Sequence, residues 1–103
     1  MIFNANRQML EDNLLKSTIF LIDFYAPWCG PCNEMGRKLL LFAHENPDID
    51  ILKIDIEAES ELAHEYHIMS VPTLVVVKDG KVAQKCVGSA CVKSIKEMIE
   101  RLN

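Results

Sequence analysis

The sequence lacks the features that would place it in a membrane or on nucleic acid. No apolar run among its 103 residues reaches the ~18–20 residues that a membrane-spanning helix needs. Lys and Arg number 11 against 15 Asp and Glu, a net charge of −4, so the basic surface that binds nucleic acid is missing. Residues 1–11 lack the basic and apolar segments of a secretory signal, which predicts a cytoplasmic protein.

Glycine and proline are also scarce, with four of each, and the chain contains no linker, repeat or low-complexity segment. Half of the residues are apolar and a quarter are charged, as in ordinary globular domains. The hydrophobic content is too high and the net charge too modest for a disordered chain. We therefore expect one domain over residues 1–103, present as a monomer.

Apolar strands and amphipathic helices alternate along the chain. Residues 19–25 form a nearly continuous apolar run, typical of a strand covered on both faces in a mostly parallel sheet. Asp79-Gly80 is a hairpin signal between two later strands. The order β-α-β-α-β-α-β-β-α predicts an α/β fold, with a central mixed sheet of four to five strands flanked by about four helices. The predicted strands are residues 2–3, 19–25, 51–56, 74–77 and 81–87, and the predicted helices run from Asn4 or Asn6 to about Lys16 and over about 32–45, 59–66 and 91–102.

Two of the four Cys residues form a C-x-x-C pair at a strand-to-helix turn. In a cytoplasmic protein this pattern indicates redox or metal chemistry rather than a disulfide scaffold. Cys29 and Cys32 are close enough in the chain to form a disulfide, and the helix N-terminus stabilises a thiolate, most strongly on the first Cys. Cys29 is therefore the predicted nucleophile, and Cys32, one turn in and more buried, is predicted to stay protonated until needed. Pro31 suits the first helical position, where its missing N–H costs nothing, and Gly30 lets the loop approach a partner's sulfur.

The residues around this pair resemble the thioredoxin family. Residues 23–32, with the sequence DFYAPWCGPC, look like its active-site signature, and Val71-Pro72-Thr73 is similar to its cis-proline loop. The resemblance covers essentially the whole chain and implies the thioredoxin fold. The W-C-G-P-C core is specific, because disulfide isomerases typically carry C-G-H-C and glutaredoxins C-P-Y-C. An oxidant or isomerase of the same fold is therefore the less favoured alternative.

The resemblance implies a protein-disulfide reductase, which is a dithiol electron carrier. In the implied cycle the thiolate of Cys29 attacks a disulfide of a client protein, and Cys32 then attacks Cys29 and releases the reduced client. The resulting Cys29–Cys32 disulfide is reduced by thioredoxin reductase, using NADPH. Because the flavin and the nicotinamide belong to that reductase, we expect no cofactor and no metal in this chain.

Asp23 is a carboxyl group in the middle of an apolar strand. Ionisation is costly there, so we predict a raised pKa and proton exchange near neutral pH. The resemblance implies that Asp23 helps to deprotonate Cys32 through water, and that Lys53 is its partner. The charge of Lys53 would lower the Asp23 pKa again. A buried ion pair kept for structure is the alternative.

The resemblance also implies a docking surface beside the Cys pair. An X-Pro bond is cis in only ~5–6% of cases in folded proteins, so the sequence alone predicts trans, whereas the family match predicts cis at Pro72. A cis bond would expose the Val71 backbone to pair with a client strand. The alternative function is a non-catalytic binding subunit that uses the Trp28 and Pro72 surface. The expected client-binding residues are Trp28, Gly30, Pro31, Val71, Pro72 and Gly88, with Met69 as a further candidate.

Cys86 and Cys91 lie outside the C-x-x-C pair. Together with Cys29 and Cys32 they have a spacing, C-x2-C and then C-x4-C, that a four-Cys zinc site could use. Pro31 and the proline loop favour redox use over zinc. In a reducing cytoplasm we expect Cys86 and Cys91 to be two free thiols rather than a second disulfide.

Overall fold

The structure, a computed structural model, describes residues 1–102 as one mixed sheet with helices on both faces. The strands are β1 (Ile2–Asn4), β2 (Ile19–Tyr25), β3 (Asp50–Asp55), β4 (Thr73–Lys78) and β5 (Lys81–Val87), and the helices are α1 (Arg7–Leu14), α2 (Gly30–Glu45), α3 (Ser60–Glu65) and α4 (Cys91–Leu102). The sheet order is β1-β3-β2-β4-β5. β1, β3 and β2 run parallel, whereas β4 is antiparallel to both β2 and β5. The predicted order of elements and the mixed sheet are confirmed. Within these residues no helix combines the length and apolar character needed to cross a membrane.

Most element boundaries differ from the prediction by one or two residues. α2 begins at Gly30 rather than Cys32, because the sulfur of Cys29 accepts a backbone N–H of the first turn and so caps the helix. The side chain of Asn6 caps α1 in the same way, with an N–H···O distance of 3.0 Å. α1 ends at Leu14, two residues earlier than predicted, where its last turn tightens.

The sheet has an apolar core on each face. Successive side chains of a strand point to opposite faces, so Leu21 packs with α2 and α4, whereas Phe20 and Ile22 pack with α1 and α3. Burying each such side chain stabilises the fold by about 1.5–3 kcal/mol. Asp23 is two residues from Leu21 and therefore belongs to the α2–α4 face. The strand pattern thus places a carboxyl group on the face covered by the helix that carries the Cys pair.

The predicted hairpin joins β4 to β5. Asp79 and Gly80 both have positive φ angles, of 52° and 78°, as a tight two-residue turn requires. The turn lies against the end of α1, because a Cβ added to Gly80 would sit 2.7 Å from the carbonyl oxygen of Leu14. The Asp79 N–H also donates to the carbonyl of Thr18 at 3.1 Å. Gly80 is therefore required both by its backbone conformation and by close packing.

We expect Gly80→Ala to lower the free energy of unfolding by about 1–3 kcal/mol, because the new methyl group meets the Leu14 carbonyl at a positive φ. Gly36→Ala is the matched control. Gly36 lies inside α2 with no atom within 4 Å of an added Cβ, so its replacement should raise the free energy of unfolding, by about 0.5–1 kcal/mol. Urea denaturation measures both changes. Equal effects of the two substitutions would contradict the close contact at the turn.

Candidate active site

Cys29 and Cys32 form a disulfide at the start of α2. Their Cα atoms are 5.2 Å apart, within the usual range for disulfides. β2 ends at Tyr25, and the chain turns into the helix through a hydrogen bond of 3.2 Å from the Cys29 N–H to the Ala26 carbonyl. Pro31 occupies the first turn of α2, where a missing N–H costs no hydrogen bond. The predicted strand-to-helix turn therefore brings the two sulfur atoms together.

The two sulfur atoms differ in their contacts rather than in their burial. Cys32 is 5% exposed and Cys29 is 6% exposed. Cys32 was predicted to be the more buried residue, but this difference is too small to distinguish the two. The sulfur of Cys29 accepts the Cys32 N–H at 3.2 Å and lies 3.9 Å from the carbonyl oxygen of Val71. An N–H donor at a helix N-terminus stabilises negative charge on sulfur. This contact lies at Cys29, the residue predicted to be the nucleophile.

A surface cavity of about 520 Å³ opens beside Cys29. Its two large exposed side chains are Trp28, 69% exposed, and Met69, 92% exposed. An exposed apolar patch next to a reactive group is typical of a protein-contact surface. The predicted residues that line the cavity are Trp28, Cys29, Gly30, Pro31, Met69 and Val71.

Ser70, the small neighbour of Val71, also lines this cavity, as do Ile56 and Ile68, which were not among the predicted residues. Ile56 directly follows β3, and Ile68 precedes the proline loop. Because β3 and β2 are parallel, their carboxyl ends lie at the same edge of the sheet. The position of Ile56 just beyond a buried strand is therefore the signal that could have identified it.

The Val71–Pro72 peptide bond is cis, as the family resemblance implied and against the trans bond predicted from the sequence alone. Pro72 is buried, and its carbonyl accepts the Gly88 N–H at 2.9 Å. Gly88 has a φ of 101°, a conformation that favours glycine. Pro72 and Gly88 do not line the cavity beside Cys29 but support the loop that carries Val71.

Asp23 is fully buried, and within residues 1–102 neither of its carboxyl oxygens has a hydrogen-bond partner. Burial raises the pKa of Asp23 to about 6, and the charge of Lys53 partly opposes this rise. Lys53 pairs with Asp23 in the register of β2 and β3. Its ammonium group lies over the ring of Tyr25, 4.7 Å from the centroid. Lys53 therefore acts on Asp23 through its charge rather than through a hydrogen bond.

A second cavity, of about 460 Å³, borders the Cys pair at Cys32. Cys32, Lys53 and Tyr25 all line it. Cys29 does not line it, so the two Cys residues border different cavities: Cys29 borders the apolar cavity, and Cys32 borders the cavity that Lys53 also lines. The arrangement brings the predicted resolving thiol and the predicted partner of Asp23 to one place.

Cys86 and Cys91 form a second disulfide, so the expectation of two free thiols is wrong. The end of β5 and the start of α4 are joined by a short loop, closed by a 3.2 Å hydrogen bond from the Cys91 N–H to the Gly88 carbonyl, which leaves the two Cα atoms only 5.7 Å apart. The four Cys residues thus pair two by two. In the part of the chain that the structure describes, no group of three or more His, Cys, Asp or Glu side chains is arranged to hold a metal ion.

Comparisons with known proteins agree with this geometry. The sequence model of the thioredoxin family matches residues 2–101. A thioredoxin of Mycoplasmoides gallisepticum is 34% identical over 96 residues, which cover 93% of this chain and 96% of that relative. A thioredoxin of Bacillus subtilis is 39% identical over 84 residues, 81% of each chain. The solved structure of oxidised mitochondrial thioredoxin 3 from Saccharomyces cerevisiae is 31% identical with a TM-score of 0.82, and the match covers 94% of this chain and 93% of that one.

We expect Asp23→Asn to remove a pH-dependent loss of stability. Because burial raises the folded-state pKa of Asp23 to about 6, the folded protein holds a proton that the unfolded chain releases between pH ~4 and ~6. The free energy of unfolding of the unmodified protein should fall as pH rises through this window, by about 3 kcal/mol. The Asn variant should lack this fall and be the more stable protein at neutral pH.

Urea denaturation from pH 4 to 8 measures the effect as the difference between the two proteins. Glu57→Gln is the matched control, because it likewise replaces a carboxyl group with an amide, but at an exposed position. Parallel curves for Asp23→Asn and the unmodified protein would show that Asp23 ionises normally in the fold.

Proposed function

We propose residue roles and an electron donor for this chain, which belongs to the thioredoxin family and is a thiol-disulfide oxidoreductase with Cys29–Cys32 as its redox pair. The observation that carries the proposal is the place of the Cys29 sulfur. It accepts an N–H at the start of α2, and it borders an apolar cavity open to a client protein. No observation favours a non-catalytic binding subunit instead.

In the proposed cycle the thiolate of Cys29 attacks one sulfur of a client disulfide. The client S–S bond breaks, a bond to Cys29 forms, and the other client sulfur leaves as a thiolate. Cys32 then loses its proton and attacks the Cys29 sulfur, which breaks the mixed disulfide and releases the second client thiolate. Two electrons have passed from the Cys29–Cys32 dithiol to the client.

Asp23 is the proposed acceptor of the Cys32 proton. It lies on the sheet face covered by α2, and a pKa of about 6 leaves it ionised but able to take up a proton at neutral pH. Lys53, which shares a cavity with Cys32, keeps the carboxylate available by its positive charge. Asp23→Asn should therefore slow the attack of Cys32 on the mixed disulfide and flatten the dependence of that rate on pH. A carboxyl group with only a structural role would leave the pH dependence of the rate unchanged.

The proposed client site is the surface around Val71. Its carbonyl oxygen is 3.9 Å from the Cys29 sulfur, so a client segment paired with the Val71 backbone would place its disulfide beside the nucleophile. Trp28 supplies the exposed apolar contact. Gly30 and Pro31 complete the cavity wall without bulk, and Pro72 and Gly88 hold the Val71 loop in position.

Thioredoxin reductase, using NADPH, is the proposed donor of electrons to the oxidised pair. The support is family membership, because thioredoxins act on client disulfides and are themselves reduced by this enzyme. The described residues supply a dithiol for such an exchange, and the flavin and nicotinamide would stay with the reductase. The cytoplasmic location and the monomeric state stay predictions.

The redox couple is tested by equilibrating the Cys86→Ser/Cys91→Ser variant with glutathione buffers. We expect a reversible two-electron transition below the potential of the cytosolic glutathione pool. Cys32→Ser should form a stable mixed disulfide with insulin through Cys29, and Cys29→Ser should form none. A potential well above the glutathione pool would indicate an oxidant, and the absence of a reversible transition would overturn the redox roles.

The docking surface is tested by Trp28→Ala. Loss of this exposed side chain should raise the KM for insulin reduction about five- to tenfold, the effect of losing ~1 kcal/mol of contact. Reduction of a small disulfide such as bis(2-hydroxyethyl) disulfide should change little. Leu15→Ala is the control, because Leu15 is 86% exposed but lies at the end of α1, away from the Cys pair. A similar loss with both substrates would place Trp28 in the chemistry rather than in docking.

A further inference from the structure

We propose that Cys86–Cys91 is a second redox site, and that it exchanges electrons with the Cys29–Cys32 pair of another copy of this chain. The proposal rests on the proposed function, because the reduced Cys29–Cys32 pair is the reductant. The acceptor is a disulfide outside the active site, which joins the penultimate residue of β5 to the first residue of α4.

The two sulfur atoms of this pair differ in access. Cys91 is only 1% exposed, whereas Cys86 is half-buried. Cys86 also lines a surface cavity of about 400 Å³ between β5 and α4, together with Gln84 and Ser94. Thiol–disulfide exchange requires a thiolate to approach one of the two sulfur atoms along an open path. The reachable sulfur is therefore that of Cys86.

The chain around Cys86 already has the shape of a client segment. β5 is an outer strand of the sheet and pairs only with β4 among the described residues, so its other edge is open. Val87, next to Cys86, is an exposed apolar side chain, 60% exposed. An extended strand with a free edge is what the Val71 backbone of a second copy would bind.

Cys91 is placed to act as the leaving group. It is the first residue of α4, and negative charge is favoured at a helix N-terminus. This stabilisation opposes the cost of charge at a buried site, and a stabilised thiolate leaves faster. Attack at Cys86 with departure of Cys91 is thus favoured at both sulfur atoms.

The exchange balances without any further reagent. The Cys29 thiolate of the reduced copy attacks the Cys86 sulfur, so that a Cys29–Cys86 bond forms between copies and the Cys86–Cys91 bond breaks. The electron pair leaves on Cys91, which takes a proton from water. Cys32 then loses its proton and attacks Cys29, and Cys86 leaves as a thiolate and is protonated. The donor copy ends with the Cys29–Cys32 disulfide, and the acceptor copy ends with two thiols.

Two full-length variants separate the donor from the acceptor. Cys29→Ser/Cys32→Ser keeps only the second disulfide, and Cys86→Ser/Cys91→Ser keeps only the active-site dithiol. After mixing, acid quenching and alkylation, mass spectrometry counts the thiols on the acceptor. We expect two new thiols per acceptor, formed about tenfold or more faster than with dithiothreitol at the same dithiol concentration, because the donor binds the strand before exchange.

A third variant identifies the attacked sulfur. Cys32→Ser in the Cys86→Ser/Cys91→Ser background cannot resolve the mixed disulfide, so it should become cross-linked to the acceptor through Cys29 and Cys86. An acceptor that carries Cys86→Ser in addition is the matched control, because it has no disulfide to attack. Peptide mapping reads the linkage, and a cross-link at Cys91 would overturn the proposed direction of attack.

Insulin reduction by the same donor distinguishes failure of the second redox site from failure of the proposed function. If the donor reduces insulin but leaves the acceptor disulfide intact, the second redox site is overturned and the proposed function stands. An acceptor that carries two free thiols even after treatment with oxidised glutathione would also overturn the second redox site. If the donor reduces neither insulin nor the acceptor, the failure belongs to the proposed function.

Discussion

The hydrogen bond from the Cys32 N–H to the Cys29 sulfur is the interaction on which the site depends. It starts α2 at Gly30, because a sulfur atom takes the place of the oxygen that usually caps a helix. The Cα atoms of the two residues are 5.2 Å apart, within reach of the disulfide that joins them. An N–H donor at a helix N-terminus also favours negative charge on sulfur, which supports the proposed role of Cys29 as the nucleophile. One local contact thus begins the helix and supports the proposed chemistry.

The buried carboxyl of Asp23 has the opposite effect on stability. Its oxygens have no hydrogen-bond partner in residues 1–102, and Lys53 places its ammonium over Tyr25 rather than against the carboxylate. Ionisation of Asp23 at neutral pH therefore destabilises the fold, and the two apolar cores offset that cost. A buried group that weakens the fold and lies on the sheet face covered by α2 is typical of a functional residue, because burial is what moves its pKa towards neutrality.

Much of the fold could be predicted because its signals are local. The apolar run of residues 19–25 and the Asp79-Gly80 turn specify their conformations from neighbouring residues alone, and both were predicted correctly. The start of α2 was placed two residues late, since sequence rules for caps count oxygen side chains and a Cys cap falls outside them. Ile56 and Ile68 were missed, because they join the site only when separate strands end at one edge of the sheet.

The alternation of strands and helices, the C-x-x-C pair at a helix start and the carboxyl group in an apolar strand could all be predicted from the sequence, since each depends on residues a few positions apart. The contacts between distant segments needed the folded sheet. It joined the Gly88 N–H to the Pro72 carbonyl and set Val71 beside Cys29. These contacts follow from strand register and helix packing over the sheet, and neither is encoded in the spacing of the residues that touch.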